Sequence, residues 1–227
     1  MGRFTSVPAS ELPPQQQMQQ PGQPGMPGQP QGQFNPSDWP QFFPKPVIGL
    51  DRDGTIIQDM GNYITDASQV HPIPGSLEAI RMMRLKGYKI VILTNQGGIH
   101  KGLQTTQQVD AVHQHMMQIF GQAGIFSIDG LYYSTTNLKE DEYAKPNIGM
   151  FRRAEKELPV GKFSEGWYVG DKMSDLKAAS NIGARPILVK TGHGTETEEK
   201  LNTFANKDLK KVTKVFNNLL EFAQSLD

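Results

Sequence analysis

The sequence predicts an α/β fold, a doubly wound and mainly parallel sheet flanked by helices, and three observations carry that prediction. From Lys45 onward short β-rich runs alternate with helical stretches; the runs are almost wholly apolar, as strands buried on both faces must be; and polar clusters follow several of them. The strands expected are Val47–Leu50, Lys89–Leu93, Gly130–Ser134, Gly166–Val169 and Pro186–Val189. Between them Ser76–Lys86 carries Leu77, Ile80 and Met83 at helical spacing and ends at Gly87, where a left-handed residue can stop a helix. Gln107–Phe120 repeats the pattern with Val109, Val112, Met116, Ile119 and Phe120 before Gly121. Asn147–Leu158 and Ser174–Ile182 supply two more helices. Lys211–Phe216 reads as extended, and Asn217 as the cap of a last helix running to about Ser225.

The 227 residues suffice for one domain and an appendage, and the composition shows where to divide them. Most of the 16 prolines lie at or before Pro46, together with runs such as Gln15-Gln16-Gln17 and Pro21-Gly22-Gln23-Pro24. Such a stretch holds too little apolar surface to offset the entropy of ordering, so residues 1–44 are expected to be a disordered Gln/Pro/Gly-rich tail and 45–227 the folded domain. Trp39, Phe42 and Phe43 could pack the domain edge or let the tail bind a protein partner. No continuous apolar stretch follows Met1 as a secretory signal requires, and no run approaches the length of a membrane span, so a cytoplasmic protein with no membrane partner is expected. Lys and Arg together number 23, as do Asp and Glu, so no net field draws in nucleic acid; the absence of cysteine excludes disulfides, thiol nucleophiles and Cys-bound zinc.

In an open α/β sheet the chemistry gathers at the carboxyl ends of the strands. The first strand ends in Asp51-Arg52-Asp53-Gly54-Thr55, the second in Thr94-Asn95-Gln96, and the fourth in Gly170-Asp171 with Ser174 and Asp175 behind; Lys145-Pro146 follows the third. Converging acids would repel one another unless a cation joined them, and oxygen ligands favour Mg²⁺. Lys145 adds an ammonium to that edge, and Gly54 permits a tight turn there. The gaps from Asp53 to Thr94 and from Ser134 to Lys145 are too short for an inserted cap domain, which leaves the site open except for a flap near Ile56–Tyr63.

These segments, in this order, resemble the haloacid dehalogenase superfamily of phosphatases. Asp-x-Asp-Gly-Thr alone arises by chance at about one position in 10⁵. Within that superfamily the resemblance is to the capless branch of heptose-1,7-bisphosphate and histidinol-phosphate phosphatases, carried by Leu50-Asp51-Arg52-Asp53-Gly54-Thr55-Ile56, Thr94-Asn95-Gln96-x-Gly98-Ile99, Lys145-Pro146-x-x-Gly149-Met150 and Val169-Gly170-Asp171-Lys172-x-x-Asp175. It implies a Rossmann-like sheet in the order 5-4-1-2-3, with Asp51 as the nucleophile that becomes an aspartyl-phosphate and Asp53 as the acid and base. Thr94 and Lys145 complete the catalytic set. Asp51, Asp53 (through its main-chain carbonyl), Asp171 and Asp175 are the expected metal set, and Arg52, Asn95, Gln96, Lys101 and Lys172 face the substrate. Three departures stand out. Ser134-Thr135-Thr136-Asn137-Leu138-Lys139-Glu140-Asp141 replaces a Cys/His zinc loop, so no zinc is expected; Ala144 stands where an Arg usually precedes the lysine; and Lys101 replaces the Arg of a Gly-Ile-x-Arg-Gly pattern.

The expected function is Mg²⁺-dependent hydrolysis of a phosphomonoester, a sugar phosphate or bisphosphate or a similar small metabolite. One alternative is a polynucleotide 3′-phosphatase, which resembles this core and uses Thr-Asn-Gln; the balanced charge argues against a nucleic-acid partner. Another is a non-catalytic scaffold binding a partner through its tail, for which a costly cluster of acids has no physical use. Of the five histidines, His113 and His115 point to different helix faces and His113 reads as a core-edge residue; His193 reads as solvated in a mobile-looking loop.

Overall fold

The computed structural model describes residues 45–227, so the expectations for the tail, including Trp39, Phe42 and Phe43, lie outside the described residues. Six strands form one wholly parallel sheet: β1 (Val47–Leu50), β2 (Lys89–Asn95), β3 (Gly130–Ser134), β4 (Trp167–Gly170), β5 (Arg185–Val189) and β6 (Lys214–Phe216). Their order is β3-β2-β1-β4-β5-β6, which is the expected five-strand order with β6 added beside β5. The helices are α1 (Ser76–Leu85), α2 (Thr106–Gln122), α3 (Gly149–Glu157), α4 (Met173–Ile182), α5 (Gly194–Leu201), α6 (Lys207–Val212) and α7 (Leu219–Gln224). Among the described residues, none is long and apolar enough to cross a membrane.

The strand period of two divides the core between the faces of the sheet. Ile48, Leu50, Ile90 and Ile92 pack with Ile80, Met83, Val109, Val112 and Met116 of α1 and α2. Val47, Val91 and Leu93 pack on the other face with Met150, Phe151 and Ala154 of α3 and Ala178 and Ala179 of α4. Gly49 interrupts the apolar run of β1 because Tyr168 occupies its place: a Cβ there would lie 2.5 Å from the Tyr168 ring. That ring fills the face beneath the site and carries its hydroxyl up to it.

The chain leaves β1 toward β2 and β3 on one side and returns to β4 on the other, so the order reverses between β1 and β4, where ligands of such sheets bind. Leu50 pairs with Val169, and the Asp51 N–H donates to the Val169 carbonyl at 2.9 Å. Asp51 and Asp171 therefore leave adjacent strand ends together. No domain is inserted over that crevice: among the described residues, positions 51–75 hold a short 3₁₀ turn, Ala67–Gln69, and isolated β-bridges of Ile57 with Asp53 and Pro72.

Several boundaries differ from expectation. Lys211 and Val212 belong to α6 and only Lys214–Phe216 is extended, since Leu209 and the exposed Val212 give α6 too little apolar periodicity to be read. The loop expected around His193 leads into α5, whose exposed face is polar and whose buried residues are Gly194, Thr197 and Leu201. Asn218 rather than Asn217 caps the last helix: its side chain accepts from the Glu221 N–H at 2.9 Å, while the Asn217 N–H donates back to the Glu221 carboxylate at 2.6 Å. β2 runs to Asn95, which carries Thr94 and Asn95 on the strand itself.

Candidate active site

A cavity of about 620 Å³ opens at the carboxyl ends of β1, β2 and β4, with Asp51, Asp53, Thr94 and Lys145 among its lining. Its floor is organised by Lys145, whose side chain is 2% exposed and so cannot be a solvated surface charge. The Lys145 ammonium donates to Asp175 Oδ1 at 2.7 Å and to the Tyr168 hydroxyl at 2.8 Å, and lies 2.8 Å from Asp51 Oδ1. The Tyr168 hydroxyl in turn donates to the Leu93 carbonyl at 2.5 Å. Burial alone would discharge this lysine, yet Asp175 and Asp51 hold its pKa above the ordinary value. The same balance acts on Asp51: burial works to raise its carboxyl, but Lys145 and then Lys172 outweigh it and hold it below the usual range. Asp51 is thus held as an ionised carboxylate in the buried floor of the cavity. Its Oδ1 faces the Lys145 ammonium in a buried ion pair.

Asn95 lines the cavity, and its side-chain amide is engaged with the backbone of Lys145. Its side-chain oxygen accepts from the Lys145 N–H at 2.9 Å and its amide donates to the Lys145 carbonyl at 3.1 Å, clamping the backbone that presents the ammonium. Asp175 is spent similarly: Oδ1 accepts from Lys145 and Oδ2 from the Lys172 N–H at 2.9 Å.

Among the described residues, Asp51, Asp171 and Asp175, all buried, each offer one carboxylate oxygen to a group whose members lie within 4.8 Å of one another. Asp171 is the least compensated. Burial first, with the like charges of Asp175 and Asp51, pushes its carboxyl up to about 8 against the pull of Lys172. Its Oδ2 accepts from the His193 N–H at 2.8 Å, and its buried Oδ1 has no partner among the described residues. Two glycines keep space around it: a Cβ at Gly54 (φ +79°) would lie 2.1 Å from Asp171 Oδ2, and one at Gly192 (φ +56°) 2.3 Å away. An orphaned oxygen, an all-oxygen donor set and cleared space fit a small hard dication.

On the cavity wall, Gln96 donates to Asp53 Oδ2 at 2.9 Å and to Thr94 Oγ1 at 3.0 Å. The Thr94 oxygen accepts there, so its O–H remains available to donate, and Thr94 lines the cavity. Arg52 turns inward, only 1% exposed; it donates to Asp53 Oδ1 (3.0 Å) and Oδ2 (2.9 Å), to Gln96 Oε1 (2.9 Å), and meets His113 Nε2 at 2.9 Å. The structure therefore places Arg52 and Gln96 against Asp53, with their polar atoms engaged there.

At the rim, Lys172 donates to Asp59 Oδ2 at 2.9 Å, and His193 Nε2 lies 3.3 Å from the same oxygen. Asp59 thus ties the flap after β1 to the loop after β4 and the loop after β5, where Thr191 also donates to the Gly54 carbonyl at 2.6 Å. Lys101 is exposed with its ammonium over the Tyr63 ring, 5.6 Å from the centroid, outside the cavity lining that Tyr63 joins. Asp59, Tyr168, Thr191 and Gly192 went unrecognised in the sequence. Asp59 lies in a flap with no periodic pattern, and Tyr168 reads as one more buried strand residue; only the glycine beside Thr191 hinted at a close approach.

Residues 46–220 match the Polynucleotide kinase 3 phosphatase family. Among curated relatives, the D-glycero-beta-D-manno-heptose-1,7-bisphosphate 7-phosphatase of Neisseria meningitidis is 34% identical over 183 residues, covering 78% of this chain and 92% of the relative. The enzyme of the same description from Pseudomonas putida is 34% identical over 182 residues, covering 79% and 98%. The D,D-heptose 1,7-bisphosphate phosphatase of B. bronchiseptica, crystallised with magnesium and phosphate, superposes with a TM-score of 0.69 at 29% identity, covering 79% of this chain and 96% of that one. That of Burkholderia thailandensis gives 0.59 at 28% identity over 79% and 97%. Shared sequence over most of its length, shared topology and the meeting of all four motifs at one crevice lead to the same conclusion: the chain belongs to the haloacid dehalogenase superfamily of phosphatases, in the family of the D,D-heptose-1,7-bisphosphate phosphatases, and hydrolyses phosphomonoesters.

Proposed function

We propose that this phosphatase depends on Mg²⁺, works through a phosphoryl group carried on Asp51, and takes a small phosphorylated sugar, a bisphosphate in the first instance, as substrate. The observation that carries the proposal is Asp51 itself, 2.8 Å from the Lys145 ammonium and held ionised by Lys145 and Lys172 at the floor of the crevice. An Asp51 carboxylate oxygen attacks phosphorus, and the bond to the leaving oxygen breaks as Asp53 supplies that oxygen with a proton. Asp53 then takes a proton from water as the water oxygen attacks the same phosphorus. The bond to Asp51 breaks, and inorganic phosphate leaves.

Thr94 donates its free O–H to a phosphate oxygen, and Lys145 offsets charge on Asp51 as the phosphate arrives. Mg²⁺, held by Asp51, the Asp53 main-chain carbonyl and Asp171, supplies when bound the positive charge that lets the two anions meet. Asp175 serves that set by fixing Lys145. Lys172 and Asn62 on the lining, with Lys101 outside it, are the groups offered to the rest of the substrate.

Relatives named for a sugar bisphosphate support that substrate class, and the cavity volume suits a molecule of that size. The family match supports a second reading, a polynucleotide 3′-phosphatase, against which the equal counts of acids and bases weigh. A phosphate-release screen over sugar bisphosphates, sugar monophosphates, histidinol phosphate, nucleotides and 3′-phosphorylated oligonucleotides separates the two. The highest kcat/KM on a sugar phosphate supports the first; on the oligonucleotide it transfers the assignment to the second.

A further inference from the structure

We infer that His113, a helix residue outside all four motifs, is a positioning residue for the proton transfer at Asp53, acting through Arg52. The inference rests on Asp53 being the acid and base of the proposed reaction.

The argument begins with what arginine can do. A guanidinium donates and never accepts, so at the 2.9 Å contact between Arg52 Nη1 and His113 Nε2 the imidazole must be the acceptor. The ring is then neutral, with its proton on Nδ1. Burial, and after it the charge of Arg52, agree with this by holding the His113 pKa well below the ordinary 6.5. Nδ1 is buried and has no partner among the described residues. A ring kept only for packing, tilted against Tyr133 with centroids 5.3 Å apart, gains nothing from so costly an arrangement, and a phenyl or leucyl group would fill the space without an orphaned donor. The acceptor on Nε2 is what distinguishes histidine here.

What that acceptor fixes is the plane of Arg52. The guanidinium spends Nε and Nη2 on Asp53 and Gln96, and Nη1 on His113, so its fork is held on opposite sides by a carboxylate and an imidazole. Asp53 borrows its orientation from that fork. Helix α2 delivers the imidazole because its start is fixed: Thr105 and Gln108 cap each other reciprocally, at 3.1 Å and 2.8 Å, and Val109, Val112 and Met116 seat the same helix face in the core.

The test compares kcat/KM for a series of phosphate esters whose leaving groups run from dinitrophenol to a simple alkanol. A misaligned acid slows only the esters whose leaving oxygen needs a proton. His113→Phe should lower kcat/KM about 10- to 100-fold for alkyl phosphate and less than about threefold for dinitrophenyl phosphate, and His113→Gln, which restores an acceptor, should recover most of the loss. Asp53→Asn is the control. If it is selective and His113→Phe slows all esters equally, the inference fails and the proposed mechanism stands; if Asp53→Asn is itself unselective, the proposed role of Asp53 fails. Nitrogen-15 shifts of the wild-type imidazole need no variant: a protonated Nδ1 and bare Nε2 support the inference, and the opposite tautomer overturns it.

Discussion

Replacing Lys145 by methionine keeps the length of the side chain and removes the charge on which the floor of the site is built. The variant loses an ion pair to Asp51, a charge-assisted hydrogen bond to Asp175 and a hydrogen bond to Tyr168, at 2.8, 2.7 and 2.8 Å. Lys145 and Asp175 are at most 2% exposed, so solvent screening does not dilute the effect. Breaking a buried pair from one side leaves an uncompensated charge and costs about 3–5 kcal/mol; here two carboxylates are stranded, so the upper half of that range is expected. For a domain of this size that is on the order of a 10 °C fall in melting temperature. Urea unfolding with chelator present measures it without interference from bound metal. The double variant Lys145→Met/Asp175→Asn should regain about half the loss, because the second change removes one stranded charge, while phosphate release stays absent in both. A single variant within about 2 °C of wild type, or a double variant no more stable than the single, would refute the reasoning.

Three further outcomes follow from the geometry. Gly192→Ala places a Cβ 2.3 Å from Asp171 Oδ2 and 2.6 Å from Gly54 Cα, so Mg²⁺ affinity measured by titration calorimetry should fall at least about tenfold; unchanged affinity would remove Gly192 from the cradle. His113 is buried neutral with its folded pKa below the unfolded value, so the unfolded chain takes up the proton first and stability is lost as pH falls below about 6.5, by up to about 1.4 kcal/mol per unit; His113→Gln should flatten that part of the urea-midpoint profile, and parallel profiles would contradict it. Asp59→Ala releases Lys172 and His193 from the flap: the pairs are partly exposed, so stability should change by less than about 1 kcal/mol while KM rises several-fold, and an unchanged KM would argue that the flap does not serve binding.

Much of the sheet could be read from its residues because burial on both faces makes β1 to β5 short runs dominated by apolar and aromatic side chains. The elements after β5 were harder. In α5 and α6 the apolar stripe shrinks to one or two residues, so their periodicity is lost among Glu and Lys. For the site, motif spacing brought Asp51, Asp53, Thr94, Lys145, Asp171 and Asp175 to one crevice, but spacing carries no information on where a long side chain turns. Arg52, Asn95 and Gln96 all line the cavity, and each also commits polar atoms to a neighbour, which spacing does not reveal. His113 shows the converse. Its helical spacing matches the core face, and only the guanidinium reaching it from β1's end gives the imidazole a chemical partner.

The covalent step at Asp51 is tested most directly by quenching the enzyme during turnover of a good substrate with borohydride, which reduces an acyl phosphate to the alcohol, and locating the change by peptide mass spectrometry. Conversion of residue 51 to homoserine, dependent on substrate and Mg²⁺, is the predicted result. Rapid turnover with the label on another residue, or with no reducible acyl group formed at any aspartate, would contradict it.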